Sequence, residues 1–364
     1  MLAKLAPKLF YQYLFGRFLL VIVLTFLVVL TLIYLLDFVE LIRISAGRET
    51  ISIASLMHLS VLRVPPVAEQ ALPFAALFGA LIVFLSLSRL RELVVARAAG
   101  ISIWQILVPP LAAALLLGVF STAVYNPVSA LLKGQIEEVE ARLLRNAKPV
   151  DKSEFWLRQS SVDGDAIIRA IRTNNRTASL ANVTFFEFDQ NGRFIQRTKA
   201  ETAVLFDGYW KLENARIVIP GSLPEKHAIL EIATNITPDL LRRTFTVPEA
   251  VPFWILKNWA DQMQAAGIDA TAFYQAYQSL LARPLVFVAM VFIAACVSVR
   301  FSRTGQSAAS ILGGVVAGFA FFTINRIFSD LGSVGLISTI LAAWLPPGIA
   351  CFLGSWTLLY QEDG

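Results

Sequence analysis

The stretch SRLRELVVARAAG, residues 88–100, separates two long apolar segments and is itself too polar to cross a bilayer. At about 100° per residue its apolar side chains form one helical stripe, and Arg89 and Glu92 share a flank. Arg97 falls inside the stripe, where it either reaches lipid headgroups or meets a partner. Gly100 stands where a glycine ends a helix. The pattern predicts a short amphipathic helix that connects two membrane spans, either floating at the headgroups or docking a cytoplasmic protein.

The composition of the whole chain is that of a membrane protein. Of its 364 residues, 56% are hydrophobic and only 16% are charged. A span needs about 20 mostly apolar residues. The stretches that qualify are residues 14–36, 67–87, 101–125, 284–299, 308–328 and 336–360. We therefore predict six transmembrane helices, three on each side of a long middle segment.

The positions of lysine and arginine predict how these spans are oriented. Basic residues lie before or at the start of the first span, between the second and third spans, and between the fourth and fifth spans: Lys4, Lys8, Arg17, Arg89, Arg91, Arg97, Arg300 and Arg303. Short connections rich in Lys and Arg stay in the cytoplasm. Both termini are then cytoplasmic and residues 126–277 periplasmic. Membrane topology explains the net charge of +5 better than nucleic-acid binding does.

The middle segment changes to short alternating strands. Residues 183–206, VTFFEFDQNGRFIQRTKAETAVLF, alternate apolar and polar residues around Asn191-Gly192, a pair typical of hairpins. We predict an antiparallel sandwich or roll at 126–277, between membrane segments at 1–125 and 278–364. The further strand-like stretches are 209–219 and 227–236, and helices are predicted at 134–146 and 269–282.

The chain offers little material for catalysis. His58 and His227 are its only histidines and lie far apart, while Cys296 and Cys351 lie in apolar runs. Neither a metal site, a disulfide framework nor a cofactor is predicted. The phosphate loop G-x-x-x-x-G-K-[ST] does not occur in the sequence, so any ATP hydrolysis belongs to a partner. A secondary transporter is disfavoured as well, because the spans contain no evident ion-relay pairs.

Two motifs resemble a known family. Residues 72–102, LPFAALFGALIVFLSLSRLRELVVARAAGIS, look like the second span and coupling helix of the LptF/LptG lipopolysaccharide-export permeases, and ILAAWLPP at 340–347 is similar too. The order of three spans, β domain and three spans matches across the chain. LDFVELIR at 36–43, together with RELVVARAAGIS and Trp104 after it, resembles LptG more than LptF. The resemblance implies a jellyroll-like β domain.

The resemblance also implies a function and partners. The chain would be the permease subunit of an ABC transporter that extracts lipopolysaccharide from the inner membrane for outer-membrane assembly. It would pair with an LptF-like paralogue on an LptB-like ATPase dimer and pass the lipid to LptC-like and LptA-like bridge proteins. The residue that matches the ATPase-contacting glutamate of the coupling helix is Glu92, with Arg89, Arg91 and Arg97 around it.

A site for this lipid needs an apolar cavity beside cations at the outer membrane boundary. The apolar candidates are Leu36, Phe74, Phe78, Leu81 and Phe321, and the cations are Arg43 and Arg63. Helix packing explains the apolar residues equally well, and headgroup anchoring explains the arginines. Glu40, three residues before Arg43, is placed to pair with it. The alternative function is a scaffold or mechanical transmitter that couples an ATPase to a periplasmic partner without carrying lipid.

Overall fold

The structure is a computed structural model that describes residues 2–45, 52–90, 92–143, 154–161, 164–172, 179–189, 192–234, 236–237, 241, 246–304 and 307–363. Its residues fall into two compact units. The membrane unit comprises Met1–Leu143, Glu249–Trp254 and Tyr274–Gly364. The β unit comprises Leu144–Pro248 and Ile255–Phe273.

Within the described residues, six helices are long and apolar enough to cross a bilayer, which confirms the number of predicted spans. The helices are α1 (Leu2–Ser45), α2 (Ile53–Arg89), α3 (Glu92–Ala98), α4 (Ile103–Phe120), α5 (Asn126–Leu143), α6 (Phe253–Ala265), α7 (Thr271–Thr304), α8 (Ser307–Ser333) and α9 (Thr339–Asp363). A π-helical turn, Ser121–Tyr125, joins α4 to α5 into one uninterrupted helix. This composite helix is the third span, and the others are α1, α2, α7, α8 and α9.

Several helices run beyond the predicted spans, because falling hydropathy ends a span without ending a helix, and α2 and α7 continue through Pro65, Pro66 and Pro284. The helix predicted at 134–146 is the end of α5, described as far as Leu143. The helix predicted at 269–282 is the start of α7. Residues 126–143 and 274–277, which the sequence assigns to the middle segment, therefore belong to the membrane unit.

The core of the membrane unit includes a close contact between α1 and α2. Phe18 and Phe84 are both buried, with ring centroids 4.8 Å apart in an edge-on arrangement. Gly79 permits this approach, because a Cβ there would lie 2.7 Å from the backbone of Ile22. The outward faces of α1, α8 and α9 carry exposed apolar side chains, which suit hydrocarbon as well as a protein neighbour.

The β unit confirms the predicted antiparallel domain. Its strands are β1 (Glu154–Ser161), β2 (Gly164–Arg172), β3 (Ser179–Phe188), β4 (Phe194–Phe206), β5 (Tyr209–Val218) and β6 (Glu225–Ala233). The hairpin predicted at Asn191-Gly192 joins β3 to β4, where Phe188 pairs with Phe194. Gly192 has a φ of +76°, a conformation that glycine adopts without steric cost, while Asn191 lies outside the described residues.

The sheet curls so that its first strand reaches its last ones. Trp210 of β5 is fully buried and its Nε1 donates a hydrogen bond to Gln159 Oε1 of β1 at 3.2 Å. The same oxygen accepts a bond from Thr234 Oγ1, just after β6, at 2.8 Å. The six described strands form one sheet in sequence order, a meander. In a strict jellyroll, by contrast, connections cross between strands that are not consecutive. The curl of the sheet agrees with the predicted roll.

Candidate functional site

The connection between the second and third spans contains α3, the helix predicted within residues 88–100. It is shorter than predicted, because α2 continues to Arg89 and the backbone turns at Leu90 before α3 begins at Glu92. Arg89 is exposed at the end of α2. Arg91 lies outside the described residues, and of Arg97 only the backbone, within α3, is described.

The predicted glycine cap ends α3. Gly100 has a φ of +83°, and the N–H of Ile101 donates to the carbonyl of Ala96 at 3.1 Å, the bond that closes such a cap. Ala96 is buried, whereas Leu90 and Val95 are 62% and 67% exposed. The membrane unit therefore leaves two apolar side chains of the connection uncovered, as expected of a helix that either lies at the lipid headgroups or docks a partner.

Arg17 of α1 ties this connection to two spans. Its Nη1 lies 3.3 Å from Glu92 Oε1, and its Nη2 donates to Ser86 Oγ of α2 at 2.7 Å. Nη1 also donates to the hydroxyl of Tyr13. These four residues, which we call the Arg17 cluster, join α1, α2 and α3. The sequence indicated Arg17 only as a topology signal, since no local spacing relates it to Glu92.

The apolar residues proposed to line a lipid cavity do not form one group. Leu81 and Phe321 are buried in the hydrophobic core of the membrane unit, and Phe78 packs against that core. The ring of Phe74 packs in a tilted arrangement against the rings of Phe319 and Phe322 of α8. The distance between ring centroids is 4.7 Å in both pairs. Leu36 instead is 72% exposed on α1. Packing between helices is thus sufficient to explain four of the five candidates.

Both proposed cations have carboxylate partners within the chain. Arg43 Nη2 lies 2.7 Å from Glu40 Oε1, which confirms that Glu40 is placed to pair with it. Arg63 Nη1 lies 3.3 Å from Asp37 Oδ1, and this pair joins α2 to α1. The two arginines differ in access, because the Arg43 side chain is 76% exposed and that of Arg63 only 27%.

A second polar cluster, which the sequence analysis missed, lies inside the membrane unit. Glu69 of α2 pairs with Arg283 of α7 and accepts a hydrogen bond from Asn126 Nδ2 at 2.9 Å. Glu69 and Asn126 are both buried. The sequence offered two signals for this cluster: an acidic residue near the start of the second predicted span, and an Arg-Pro pair at the start of the fourth.

Six apolar helices, a short helix in the connection between two of them and a separate antiparallel β unit define a polytopic membrane protein. The family model described as lipopolysaccharide export system permease LptF/LptG matches residues 12–360. The chain belongs to this family of lipopolysaccharide export permeases.

Proteins similar to this chain include LptG members of the family. The lipopolysaccharide export system permease protein LptG of Haemophilus influenzae is 24% identical over 335 residues, which cover 90% of this chain and 92% of the relative. The LptG protein of Escherichia coli K12 is 22% identical over 349 residues, covering 94% and 95%. The predicted resemblance to the family, on its LptG side, is thereby confirmed.

Proposed function

We propose that this chain is the permease subunit of an ABC transporter that extracts lipopolysaccharide from the inner membrane and passes it to a periplasmic bridge. A separate cytoplasmic subunit hydrolyses the ATP. Family membership supports the cargo. The observation that carries the energy coupling is α3, a short helix with an exposed apolar side that follows α2 directly. Since much of α2 is buried in the membrane unit, a displacement of α3 acts on the core of that unit.

In this proposal both termini and α3 lie in the cytoplasm, and the β unit lies in the periplasm. The support is the excess of lysine and arginine in the amino-terminal segment and in the two short connections named above. Among these three segments, the structure describes the connection through α3 most completely. Arg89 is exposed there, and Arg17 of α1 pairs with Glu92 of α3.

The ATPase contact centres on Glu92, with Arg89, Arg91 and Arg97 around it. The Glu92 side chain is 33% exposed and its contact with Arg17 is 3.3 Å long, which leaves carboxylate lone pairs available to a basic group of the ATPase. A charge-assisted hydrogen bond of this kind is stronger than a neutral one. Exposed Leu90 and Val95 add apolar area beside it.

The proposed partners are an LptF-like paralogue, an LptB-like ATPase dimer, and LptC-like and LptA-like bridge proteins. The paralogue would cover part of the exposed apolar surface of the spans, which is extensive on α1, α8 and α9. Hydrocarbon would cover the remainder. Bridge proteins would receive the lipid on the periplasmic side.

For the cargo itself, Arg43 is the better-placed cation. A guanidinium has five N–H donors, and the pairing with Glu40 uses one of them. The remaining donors of this exposed side chain suit a phosphate group of the lipid. Arg63, less exposed, contributes from the neighbouring helix. Of the apolar candidates, Leu36 is exposed to acyl chains, whereas Phe74, Phe78, Leu81 and Phe321 pack between helices and would line the proposed site once those helices separate.

Photocrosslinking in living cells tests the cargo role. A photoreactive residue is placed singly at Arg43, Arg63, Phe74 and Phe321, with Leu223 of the β unit, 90% exposed, as the matched control position. We expect lipopolysaccharide adducts at Arg43 and at one or more of the others, and none at Leu223. If export continues while all four positions stay free of adducts, and a probe in the bridge protein still captures lipid, the chain is a transmitter without cargo.

A further inference from the structure

The cluster around Glu69 joins four segments of the membrane unit. Besides pairing with Arg283 and accepting from Asn126, Glu69 accepts a hydrogen bond from Ser129 of α5. Arg283 Nη1 also donates to Ser121 Oγ in the π turn at 3.3 Å. We call these five residues the buried cluster. It links α2, the π turn, α5 and α7.

Stability alone is a weak reason for such a cluster. Removing two charges from water costs several kcal/mol per ion even after relaxation, so a buried ion pair often contributes no more than an apolar pair of the same volume. The best-attested use of a buried pair is to fix one register of packing. An ionisable pair inside a membrane span is therefore a candidate for a functional role.

The π turn shows which register is fixed. Thr122 Oγ1 donates to the carbonyl of Leu280 in α7 at 2.8 Å, and the Tyr125 hydroxyl donates to the carbonyl of Pro65 in α2 at 3.0 Å. Turns of this kind are frequent at functional sites and rotate the helix that follows them. Here side chains of one turn bond to α7 and to α2.

Asn126 extends the buried cluster to the start of α6. Its amide donates to Glu69, and its Oδ1 accepts a hydrogen bond from the backbone N–H of Phe253 at 3.0 Å. Along the chain, α5 leads from the membrane unit to the strands and α6 follows them. Asn126, at the start of α5, is thus hydrogen-bonded both to Glu69 of α2 and to the start of α6. The helices α5 and α6 precede and follow the strands in sequence.

We propose that Glu69, Arg283 and Asn126 are positioning residues that carry a displacement of α2 to α5 and to the start of α6. The inference rests on the proposed function, in which the ATPase moves α3 and thereby α2. The buried cluster is then the point at which that movement leaves the spans. Because its hydrogen bonds are buried and mutually supporting, the segments move together rather than slide past one another.

The test uses the complete complex of this chain, its paralogue and the ATPase in proteoliposomes. ATP hydrolysis and transfer of lipopolysaccharide to purified bridge protein are measured in the same sample. The variants are Asn126→Ala, which keeps the ion pair, and the double variant Glu69→Gln/Arg283→Gln, which removes both charges together. Arg326→Gln is the matched control, because it breaks an exposed arginine pair, with Asp330 at 3.2 Å, elsewhere in the spans.

For both cluster variants we expect assembly and ATP hydrolysis close to those of the natural chain, while lipid transferred per ATP falls about tenfold, within the range of coupling effects along packed networks. The control should match the natural chain. Unchanged transfer per ATP in both variants overturns the inference. A parallel loss of assembly, hydrolysis and transfer also overturns it, because that result describes a purely structural role.

The failure of this inference is distinguishable from the failure of the proposed function. If the natural complex hydrolyses ATP but transfers no lipopolysaccharide, the proposed function fails and the inference falls with it. If the natural complex transfers lipid and the cluster variants transfer equally well, only the inference fails.

Discussion

The Arg17 cluster and the buried cluster both hold α2, yet their acids lie in different surroundings. The arginine side chains are similarly accessible, 22% exposed for Arg17 and 23% for Arg283. The glutamates differ, since Glu92 is 33% exposed and Glu69 only 9%. An accessible carboxylate exchanges partners at little cost, whereas a buried one is costly to leave unpaired. Of these two attachments of α2, the one beside α3 is therefore adaptable and the one at the buried cluster is fixed.

The partners of the two acids extend this contrast. Glu69 receives hydrogen bonds from Arg283, Asn126 and Ser129, which satisfy a carboxylate inside the membrane unit. The contacts described for Glu92 come from one group, the guanidinium of Arg17, at 3.3 and 3.4 Å. We therefore expect substitutions in the buried cluster to change stability most, and substitutions in the Arg17 cluster to change it least.

The largest effect is expected for Glu69→Gln. The substitution leaves the Arg283 guanidinium without its counter-ion, and breaking a buried pair in this way costs about 3–5 kcal/mol of the free energy of unfolding. Adding Arg283→Gln removes the orphaned charge and should restore much of the loss. Denaturant unfolding of the purified protein in detergent, followed by tryptophan fluorescence, measures both variants. Equal stability of the single and double variants would contradict a true ion pair.

A smaller loss is expected for Gly118→Ala in α4, next to the buried cluster. A Cβ at Gly118 would lie 2.4 Å from the Cα of Pro284, and backbone atoms there have no room to withdraw. Overpacking of this kind costs about 1–3 kcal/mol. Gly16→Ala, beside Arg17, is the matched control, since nothing lies within 4 Å of its Cβ position. The same unfolding assay should show a loss for Gly118 alone, and an equal loss at Gly16 would remove the contrast between the packing beside the buried cluster and the packing beside the Arg17 cluster.

The smallest effect is expected for Arg17→Ala. A partly exposed ion pair contributes about 1 kcal/mol or less, and salt screens it. A double-mutant cycle of Arg17→Ala with Glu92→Ala, measured by unfolding at low and high salt, should give a small coupling energy that disappears in about 1 M salt. A coupling energy that is large and independent of salt would show that this attachment is as fixed as the buried one.

Much of the fold can be predicted from local patterns in the sequence. Apolar runs predict the six spans, and the Asn191-Gly192 pair predicts the β3–β4 hairpin. Gly100 predicts the end of α3, and the spacing of Glu40 and Arg43 predicts their ion pair. Each of these features depends on residues close together in the chain, where spacing alone determines geometry.

The polar clusters could not be predicted in the same way, because they join residues that are far apart in sequence. Glu69 and Arg283 are 214 positions apart, and Arg17 and Glu92 are 75 apart. Each pair depends on which faces of packed helices meet, which a single sequence does not encode in its local spacing. The continuity of α5 with the third span was missed for a related reason, since falling hydropathy marks the end of a span and not the end of a helix.

The most direct test of the proposed energy coupling is the recovery of the ATPase with Glu92→Ala. The charge-assisted contact proposed for Glu92 contributes on the order of 1.5–3 kcal/mol, so its loss should weaken ATPase binding by about 10- to 100-fold. Glu40→Ala, which removes an exposed glutamate of α1, serves as the matched control. Affinity purification through this chain from membranes should recover little ATPase with Glu92→Ala, normal amounts with Glu40→Ala, and equal amounts of folded permease in both. Full recovery of the ATPase with Glu92→Ala, together with normal lipopolysaccharide export, would contradict the coupling role of α3.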